Sequence, residues 1–237
     1  MKIIRYPKKE TWQEILQRPM FETVDLTKTV SAILDEVKLN GDNALRQFTK
    51  QFDGVEIGEI LVSEAEFVEA ENRVSAELKF AIQHAKSNIE KFHLSQIEEI
   101  KRVETTEGVM CWRKSVAIEK VGLYIPAGTA PLFSTVLMLA IPAKIAGCRE
   151  IILCSPPDKN GKIDDVILYT ARLCGTTKVF KIGGVQAVGA MAYGTETVPN
   201  VYKIFGPGNQ YVTAAKQIVS QTGVAIDMPA GPSEVAV

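Results

Sequence analysis

Two short glycine-rich segments carry the sharpest chemical signals in this sequence. Gly206-Pro207-Gly208-Asn209 and Gly183-Gly184-Val185-Gln186 each follow an apolar run and precede a helical pattern. Glycine lets backbone N–H groups approach a ligand closely, and the start of a helix attracts anions. Asn209 can orient a hydroxyl, an amide or a phosphate, and Gln186 can both donate and accept. Taken alone, each segment can also be a tight turn, and for Gly206–Asn209 a turn in which Asn209 caps the following helix is the simpler interpretation.

Two further side chains stand where predicted strands end or begin. Tyr124 lies just before Ile125-Pro126, at the end of an apolar run. A ring at that position can pack on a flat cofactor, or it can be a core tyrosine with a bonded hydroxyl. Ser233, in Gly231-Pro232-Ser233-Glu234, can hydrogen-bond a substrate or simply start a strand. Both residues are therefore candidates with a structural alternative.

The sequence offers no complete catalytic set. His84 and His93 are the only histidines, and their spacing of nine residues on one predicted helix points them to opposite faces. Neither a zinc cluster nor a Ser-His-Asp set can be assembled. Cys154 could act as a nucleophile at the end of a strand, but no base is identifiable for it. The GxGxxG fingerprint is absent after every predicted strand, so pattern alone does not assign NAD. We predict no catalytic residue and no metal ligand in this chain.

The stretch from Val116 to Pro157 predicts how the candidates are positioned. An apolar run over 116–125, a loop of small residues, a helical run from about Ser134 to Ala146 and a second apolar run over 151–154 form one parallel crossover unit. Neither run alternates polar with apolar residues, which indicates a sheet covered on both faces. Ligands bind such sheets beyond the carboxyl ends of the strands. We therefore expect Tyr124, Gln186 and Asn209 along one rim.

The chain divides by pattern into two regions. Residues 1–115 are predicted to be mainly helical, and residues 116–237 to form the α/β part. Thr11 with Glu14 and Ser63 with Glu66 have the spacing of capping boxes. Leu45, Phe48 and Phe52 are predicted to face inward, and residues 109–113 to form an edge strand or one strand of a hairpin. The last residues, 235–237, look like the start of a strand, so we expect more protein beyond them.

Composition limits the classes of function. The 237 residues are 46% hydrophobic and 23% charged, with a formal net charge of −1. That balance gives no reason to expect nucleic acid or an anionic membrane as a partner. No apolar run approaches the ~20 residues of a membrane span, and the first residues do not resemble a signal peptide. The four cysteines form no CxxC pair, so reduced thiols in a cytoplasmic protein are expected.

The region from Val121 to Val235 resembles histidinol dehydrogenase. The matching segments are VGLYIPAGTAPLFSTVLMLAIPAKIAGC, ILCSPP, GGVQAVGAMAYGTETVP, KIFGPGNQYVTAAK and AIDMPAGPSEV. Several long segments in the same order are far more specific than one glycine loop. The first 120 residues are similar to the family's helical N-terminal part more weakly, and RQFTKQFDG is the best match there.

The resemblance implies an enzyme that oxidises L-histidinol to L-histidine through a bound aldehyde, in two NAD-dependent steps that end histidine biosynthesis. It also implies a zinc-dependent homodimer built from incomplete Rossmann-like domains. By motif, Tyr124, Gln186 and Asn209 look like the residues that contact NAD, and Ser233 like a substrate contact. In that family the zinc ligands and the acid–base residues follow the GPSEV segment, and no match to them exists here. The resemblance thus implies the N-terminal half of such an enzyme, inactive by itself.

Two other interpretations stay open from the sequence. One is a non-catalytic module that binds a nucleotide or takes part in assembly through the same crevice. The other is an enzyme similar to aldehyde dehydrogenases that uses Cys154. If a missing half normally covers the N-terminal helices, their apolar stripes lie open, and we expect the chain to associate.

Overall fold

The N-terminal region is helical up to a hairpin. The structure is a computed structural model that describes residues 4–16, 23–126 and 130–228. A 3-10 turn (Lys9–Thr11) leads into α1 (Trp12–Ile15), and α2 (Thr23–Phe48) continues into a π-helical turn (Thr49–Asp53). The region then continues through α3 (Glu64–Arg73), α4 (Ala76–Leu94) and an antiparallel hairpin of β1 (Arg102–Thr106) and β2 (Val109–Trp112).

Strands and helices alternate in the remainder of the chain. The elements are β3 (Lys120–Tyr124), α5 (Phe133–Ala146), β4 (Glu150–Cys154), α6 (Asp165–Cys174), β5 (Lys178–Phe180), α7 (Gly184–Tyr193), β6 (Lys203–Phe205), α8 (Gln210–Ser220) and β7 (Ala225–Ile226). The predicted crossover unit around residues 116–157 is confirmed as β3, α5 and β4.

All five strands of the main sheet are parallel, in the order β5-β4-β3-β6-β7. Renumbered along the chain from β3, this order reads 3-2-1-4-5, which is that of the first five strands of a dinucleotide-binding fold. The prediction of a helical region followed by an incomplete Rossmann-like sheet with flanking helices is therefore confirmed. Strands β4 and β5 lie on one side of β3, and β6 and β7 lie on the other side. The topological switch point is therefore between β3 and β6, and a ligand crevice is expected at the carboxyl ends of these two strands.

Helices cover both faces of the sheet. Successive side chains of a strand point to opposite faces, so Leu123 belongs to the hydrophobic cluster on one face and Tyr124 to the cluster on the other. The Leu123 face packs against α3, α4, α5 and α6, and the Tyr124 face against α2, α7 and α8. This explains why the strands lack a polar face.

The N-terminal helices contribute to the same two clusters as the sheet. Helix α2 packs against α7 and α8, while α3 packs against α6 and α4 against α5. The domain boundary between residues 115 and 116 stays a prediction, because shared packing does not test it. What the packing does show is that α2 and its π-helical end lie on the Tyr124 face of the sheet.

Local predictions met mixed outcomes. Ser63 and Glu66 form the predicted capping box, but Thr11 makes no side-chain cap and donates to the Lys8 carbonyl oxygen instead. The prediction that Phe52 faces inward is wrong, since its side chain is 52% exposed. The π-helical turn changes the helical period after Phe48, and so turns Phe52 outward to stack on the Phe48 ring.

Two strand predictions also need comment. The strand predicted from residue 116 begins at Lys120, where pairing with β4 starts. The strand predicted at residues 109–113 is found at Val109–Trp112, where it forms one strand of a hairpin. The strand predicted at residues 235–237 lies outside the described residues.

The β1–β2 hairpin is an exposed apolar surface. Val103 is 57% exposed and Trp112 is 55% exposed. An exposed apolar surface such as this hairpin favours association between copies or with other protein.

Within the described ranges, no helix is long and apolar enough to span a membrane.

We predict that the isolated chain self-associates through this hairpin. Trp112→Ser should raise the concentration at which half of the chains associate by about tenfold, because a large aromatic contact is lost. Light scattering coupled to size-exclusion chromatography measures this. Trp12→Ser, a change at the other tryptophan, which is 46% exposed in α1, is the control and should leave association unchanged. A monodisperse monomer of the unmodified chain would contradict the prediction.

Candidate functional site

Tyr124 joins the end of β3 to the start of α7. Its side chain is 4% exposed, and its hydroxyl oxygen accepts a hydrogen bond from the Gly184 backbone N–H at 3.1 Å. Burial raises the pKa of Tyr124 to about 12, with a smaller contribution from the nearby Asp53 carboxylate. The hydroxyl is therefore protonated at neutral pH, and its own O–H bond remains available as a donor.

Gln186 lies in the first turn of α7, close to that hydrogen bond. The residue is 1% exposed, and its Oε1 atom has no hydrogen-bond partner among the described residues. A Cβ atom at Gly184, where φ is +61°, would lie 2.8 Å from this oxygen. An unpaired buried acceptor costs about 1–3 kcal/mol. The arrangement therefore favours a ligand that brings a donor to Gln186.

The loop after β6 presses against the end of β3. At Gly206 φ is +134°, and a Cβ atom there would lie 2.1 Å from the Tyr124 carbonyl oxygen, so only glycine fits. Both polar backbone groups of Gly206 are held: Asp227 accepts its N–H at 2.8 Å, and Lys216 donates to its carbonyl oxygen at 2.9 Å. Lys216 and Asp227 also form an ion pair with each other. The glycine loop is thus fixed beside the switch point.

Asn209 serves the helix, and part of its side chain remains free for a ligand. Its Oδ1 atom accepts the N–H groups of Tyr211 at 3.0 Å and Val212 at 3.1 Å, which confirms the helix-cap interpretation. The residue is exposed, and the cap uses only the oxygen of the amide. The side-chain NH₂ group can still donate. By contrast, Gly183 precedes α7 at the cap position, and no side chain caps that helix.

The structure brings the predicted residues to one edge of the sheet. Tyr124 and Gln186 meet at Gly184, and the loop that carries Asn209 meets Tyr124 at Gly206. Helices α7 and α8, which begin at these loops, pack against each other on the same face. Ser233 lies outside the described residues.

Comparison with known proteins decides the family. A family model described as histidinol dehydrogenase matches residues 16–237. The chain belongs to the histidinol dehydrogenase family. A histidinol dehydrogenase of Bacteroides fragilis is 63% identical over 237 residues, which is all of this chain and 55% of that protein. One of Xanthomonas euvesicatoria is 52% identical over 226 residues, covering 94% of this chain and 52% of that protein.

A solved structure agrees. The crystal structure of histidinol dehydrogenase from Elizabethkingia anophelis superposes with a TM-score of 0.91 at 55% identity, covering 96% of this chain and 52% of that one. The chain thus spans about half the length of the histidinol dehydrogenases it matches. The family accounts for the parallel sheet and its flanking helices.

Asp53 is a polar residue of this site that the sequence interpretation missed. It ends the π-helical turn after α2, and its Oδ2 atom is buried without a hydrogen-bond partner. Burial raises the pKa of Asp53 to about 6, and its charge acts on Tyr124. In sequence, Asp53-Gly54 looks like an ordinary turn, and Gly54 does adopt a left-handed φ of 71°. The π-helical turn that ends at Asp53 has no sequence signature.

Two other kinds of site are poorly supported by the described part of this chain. No three His, Cys, Asp or Glu side chains in it come close enough together to hold a metal ion. Cys154 is fully buried, and burial strongly raises the pKa of its thiol. A thiol must ionise and be accessible to act as a nucleophile. Cys154 is therefore a core residue, and the aldehyde dehydrogenase-like alternative loses its nucleophile.

We predict that Gly206→Ala destabilises the protein by about 3 kcal/mol or more, because the new Cβ atom would overlap the end of β3. Gly223→Ala is the matched control: φ there is +102°, but no atom lies within 4 Å of the new Cβ. That change should cost only the backbone strain of about 1–2 kcal/mol. Urea unfolding measures both free energies, and equal losses would show that the contact with Tyr124 carries no special cost.

We predict that Asp53→Asn stabilises the fold at pH 7 by about 1–2 kcal/mol, because it removes a buried charge without a partner. The pKa of Asp53 rises on folding from 3.8 to about 6. The folded state therefore binds the proton more tightly, and the unmodified protein loses stability relative to the variant as the pH rises through that interval. Urea unfolding at several pH values tests this, with Asp35→Asn, at an exposed position of α2, as the control. A constant difference between pH 4 and pH 7 would contradict it.

Proposed function

We propose that this chain forms the NAD-binding side of a histidinol dehydrogenase, which oxidises L-histidinol to L-histidine through histidinaldehyde with two NAD. One observation carries the proposal: the buried Oε1 atom of Gln186 lacks a donor, and it lies beside the Tyr124–Gly184 hydrogen bond at the carboxyl edge of the sheet. Family membership supplies the reaction.

The residues at this edge fit the parts of a dinucleotide. The Asn209 amide NH₂ and the Tyr124 hydroxyl can donate to its oxygen atoms, and Gln186 Oε1 can accept from a hydroxyl or an amide. The uncapped start of α7 suits the pyrophosphate, since the N–H groups of a first turn point toward an anion. Gly206 and Gly184 permit the close backbone approach that such a ligand needs.

The described residues of this chain account for the binding and orientation of NAD, and the other steps of the reaction need groups that these residues do not provide. Bound NAD accepts hydride. The residues of this chain hold and orient it: Tyr124 keeps its proton at neutral pH, and the Lys216–Asp227 pair holds the Gly206 loop in place. The described residues do not fit a zinc ion, so no step is derived through zinc.

The remaining parts of the proposal follow from the family. Zinc, its ligands and the acid–base residues are assigned to the half of histidinol dehydrogenase that this chain does not span, and Ser233 is assigned to L-histidinol. Assembly as a homodimer and a cytoplasmic location belong to the same proposal. Neither nucleic acid nor a membrane is proposed as a partner.

We predict that the chain binds NAD, and that Gln186→Ala and Asn209→Asp each weaken binding by about tenfold. Asn209→Asp keeps the oxygen that caps α8 and removes the NH₂ donor, so it separates the cap from the ligand contact. Gln217→Ala, at an exposed position of α8, is the control. Isothermal titration calorimetry measures the affinities, and circular dichroism checks the fold of each variant.

Two results would count against the proposal. If the unmodified chain binds no NAD at millimolar concentration, the nucleotide site is absent from this chain. A non-catalytic role in assembly is then the better supported interpretation. If NAD binds equally well to the unmodified chain and to both variants, the nucleotide lies somewhere other than the edge that joins Tyr124, Gln186 and Asn209.

A further inference from the structure

Asp53 is held at the candidate site without a partner of its own. Its Oδ2 atom is buried, and it forms no hydrogen bond. An ionised carboxylate is an acceptor only, and a buried one normally meets several donors. The π-helical turn Thr49–Asp53 is a rare conformation that is frequently found at functional sites.

The charges around Asp53 do not neutralise it. The nearest cation in sequence, Lys50, is exposed and pairs with Glu56 instead. The Asp53 charge helps to raise the pKa of the Tyr124 hydroxyl. The pKa of Asp53 itself is raised by burial alone, without an opposing contribution from a basic group. The carboxylate therefore lacks both a counter-charge and a donor in the described part of the chain.

The sheet lacks an acidic residue where dinucleotide-binding folds usually have one. In those folds an Asp or Glu about 20 residues after the first glycine turn binds a ribose hydroxyl. The strand at that distance is β4, whose carboxyl end carries Cys154 followed by Ser155. Its one acid, Glu150, lies at the opposite end and contacts Lys120 and Lys178. The ribose-binding acid is thus missing from its usual strand.

We propose that Asp53 takes over this role and accepts a hydrogen bond from the 2′-hydroxyl of the adenosine ribose of bound NAD, an inference that rests on the proposed function. Phe48 and Val55, which flank the turn that holds Asp53, belong to the same hydrophobic cluster as Tyr124, so this turn lies on the Tyr124 face of the sheet. Phosphate oxygens accept hydrogen bonds and carry negative charge, so Asp53 repels them. The hydroxyl groups of a ribose are donors that match it.

The same chemistry makes Asp53 a specificity determinant. NADP carries a phosphate on the 2′-oxygen that Asp53 is proposed to bind. When NADP is bound, the Asp53 carboxylate has no 2′-hydroxyl donor and faces the negative charge of the 2′-phosphate. The chain should therefore prefer NAD to NADP, and the preference should depend on Asp53.

The test titrates NAD and NADP into the unmodified chain, Asp53→Asn and Asp35→Asn. The amide of Asp53→Asn keeps the size of the side chain and loses the charge. We expect NAD to bind Asp53→Asn about tenfold more weakly, because hydrogen bonds to charged groups are the stronger ones. NADP binding should weaken less or improve, so that the preference for NAD narrows. Asp35→Asn should bind both as the unmodified chain does, which controls for net charge. The denaturation midpoint of Asp53→Asn should equal or exceed that of the unmodified chain, which shows that the variant folds.

The outcomes separate this inference from the proposed function. Equal NAD binding by the unmodified chain and Asp53→Asn would overturn the role of Asp53 and leave the nucleotide site standing. If Asp53→Asn binds NAD more weakly but the ratio of its NAD affinity to its NADP affinity is the same as in the unmodified chain, the proposed contact with the 2′-hydroxyl is wrong. An unmodified chain that binds neither dinucleotide would overturn the nucleotide site itself.

Discussion

One close backbone contact sets the geometry of the candidate site. The chain at Gly206 passes so near the Tyr124 carbonyl oxygen that a Cβ atom would lie 2.1 Å from it. Asp227 and Lys216 hold the two polar groups of Gly206, so the contact cannot relax by rotation of the peptide. Through its hydroxyl group, Tyr124 also holds the first residue of α7. Tyr124, at the end of β3, therefore contacts both the loop after β6 and the loop after β5. These two loops lie on opposite sides of the switch point.

Unpaired polar atoms mark the same region. In the described part of the chain, the buried side-chain atoms without a hydrogen bond are Thr49 Oγ1, Asp53 Oδ2, Gln186 Oε1 and Asp227 Oδ1. Asp227 is compensated by its ion pair with Lys216. The other three belong to the π-helical end of α2 and to the start of α7. Each costs about 1–3 kcal/mol, and folding alone gives no reason to concentrate that cost on two helices that pack on one face of the sheet. A ligand that supplies donors recovers the cost on binding.

The sequence predicts what depends on local pattern. Strand, glycine turn and helix follow one another where the apolar runs indicate them, and parallel strands bring Tyr124, Gln186 and Asn209 to one edge. The order of the strands is a property of tertiary structure, so the switch point between β3 and β6 could not be located in advance. The helical period predicted that Phe52 faces inward, but the π-helical turn changed the period, and Asp53 Oδ2 is buried instead. Asn209 shows a different limit: the helix cap and the ligand contact use different atoms of one side chain, so the two interpretations do not exclude each other.

The N-terminal helices are part of the site, although the sequence pattern separates them from the sheet. The change from helical to α/β pattern predicts a boundary between residues 115 and 116, and that boundary stays a prediction about domains. The proposed nucleotide site does not follow this boundary. Helix α2 packs on α7 and α8, and the turn after it, which ends at Asp53, lies on the Tyr124 face. A sheet without α2 would keep Tyr124, Gln186 and Asn209 and lose Asp53, the acid whose charge acts on Tyr124. With the proposed role of Asp53, the unit that recognises a dinucleotide is larger than the sheet, since the discriminating charge comes from the helical region.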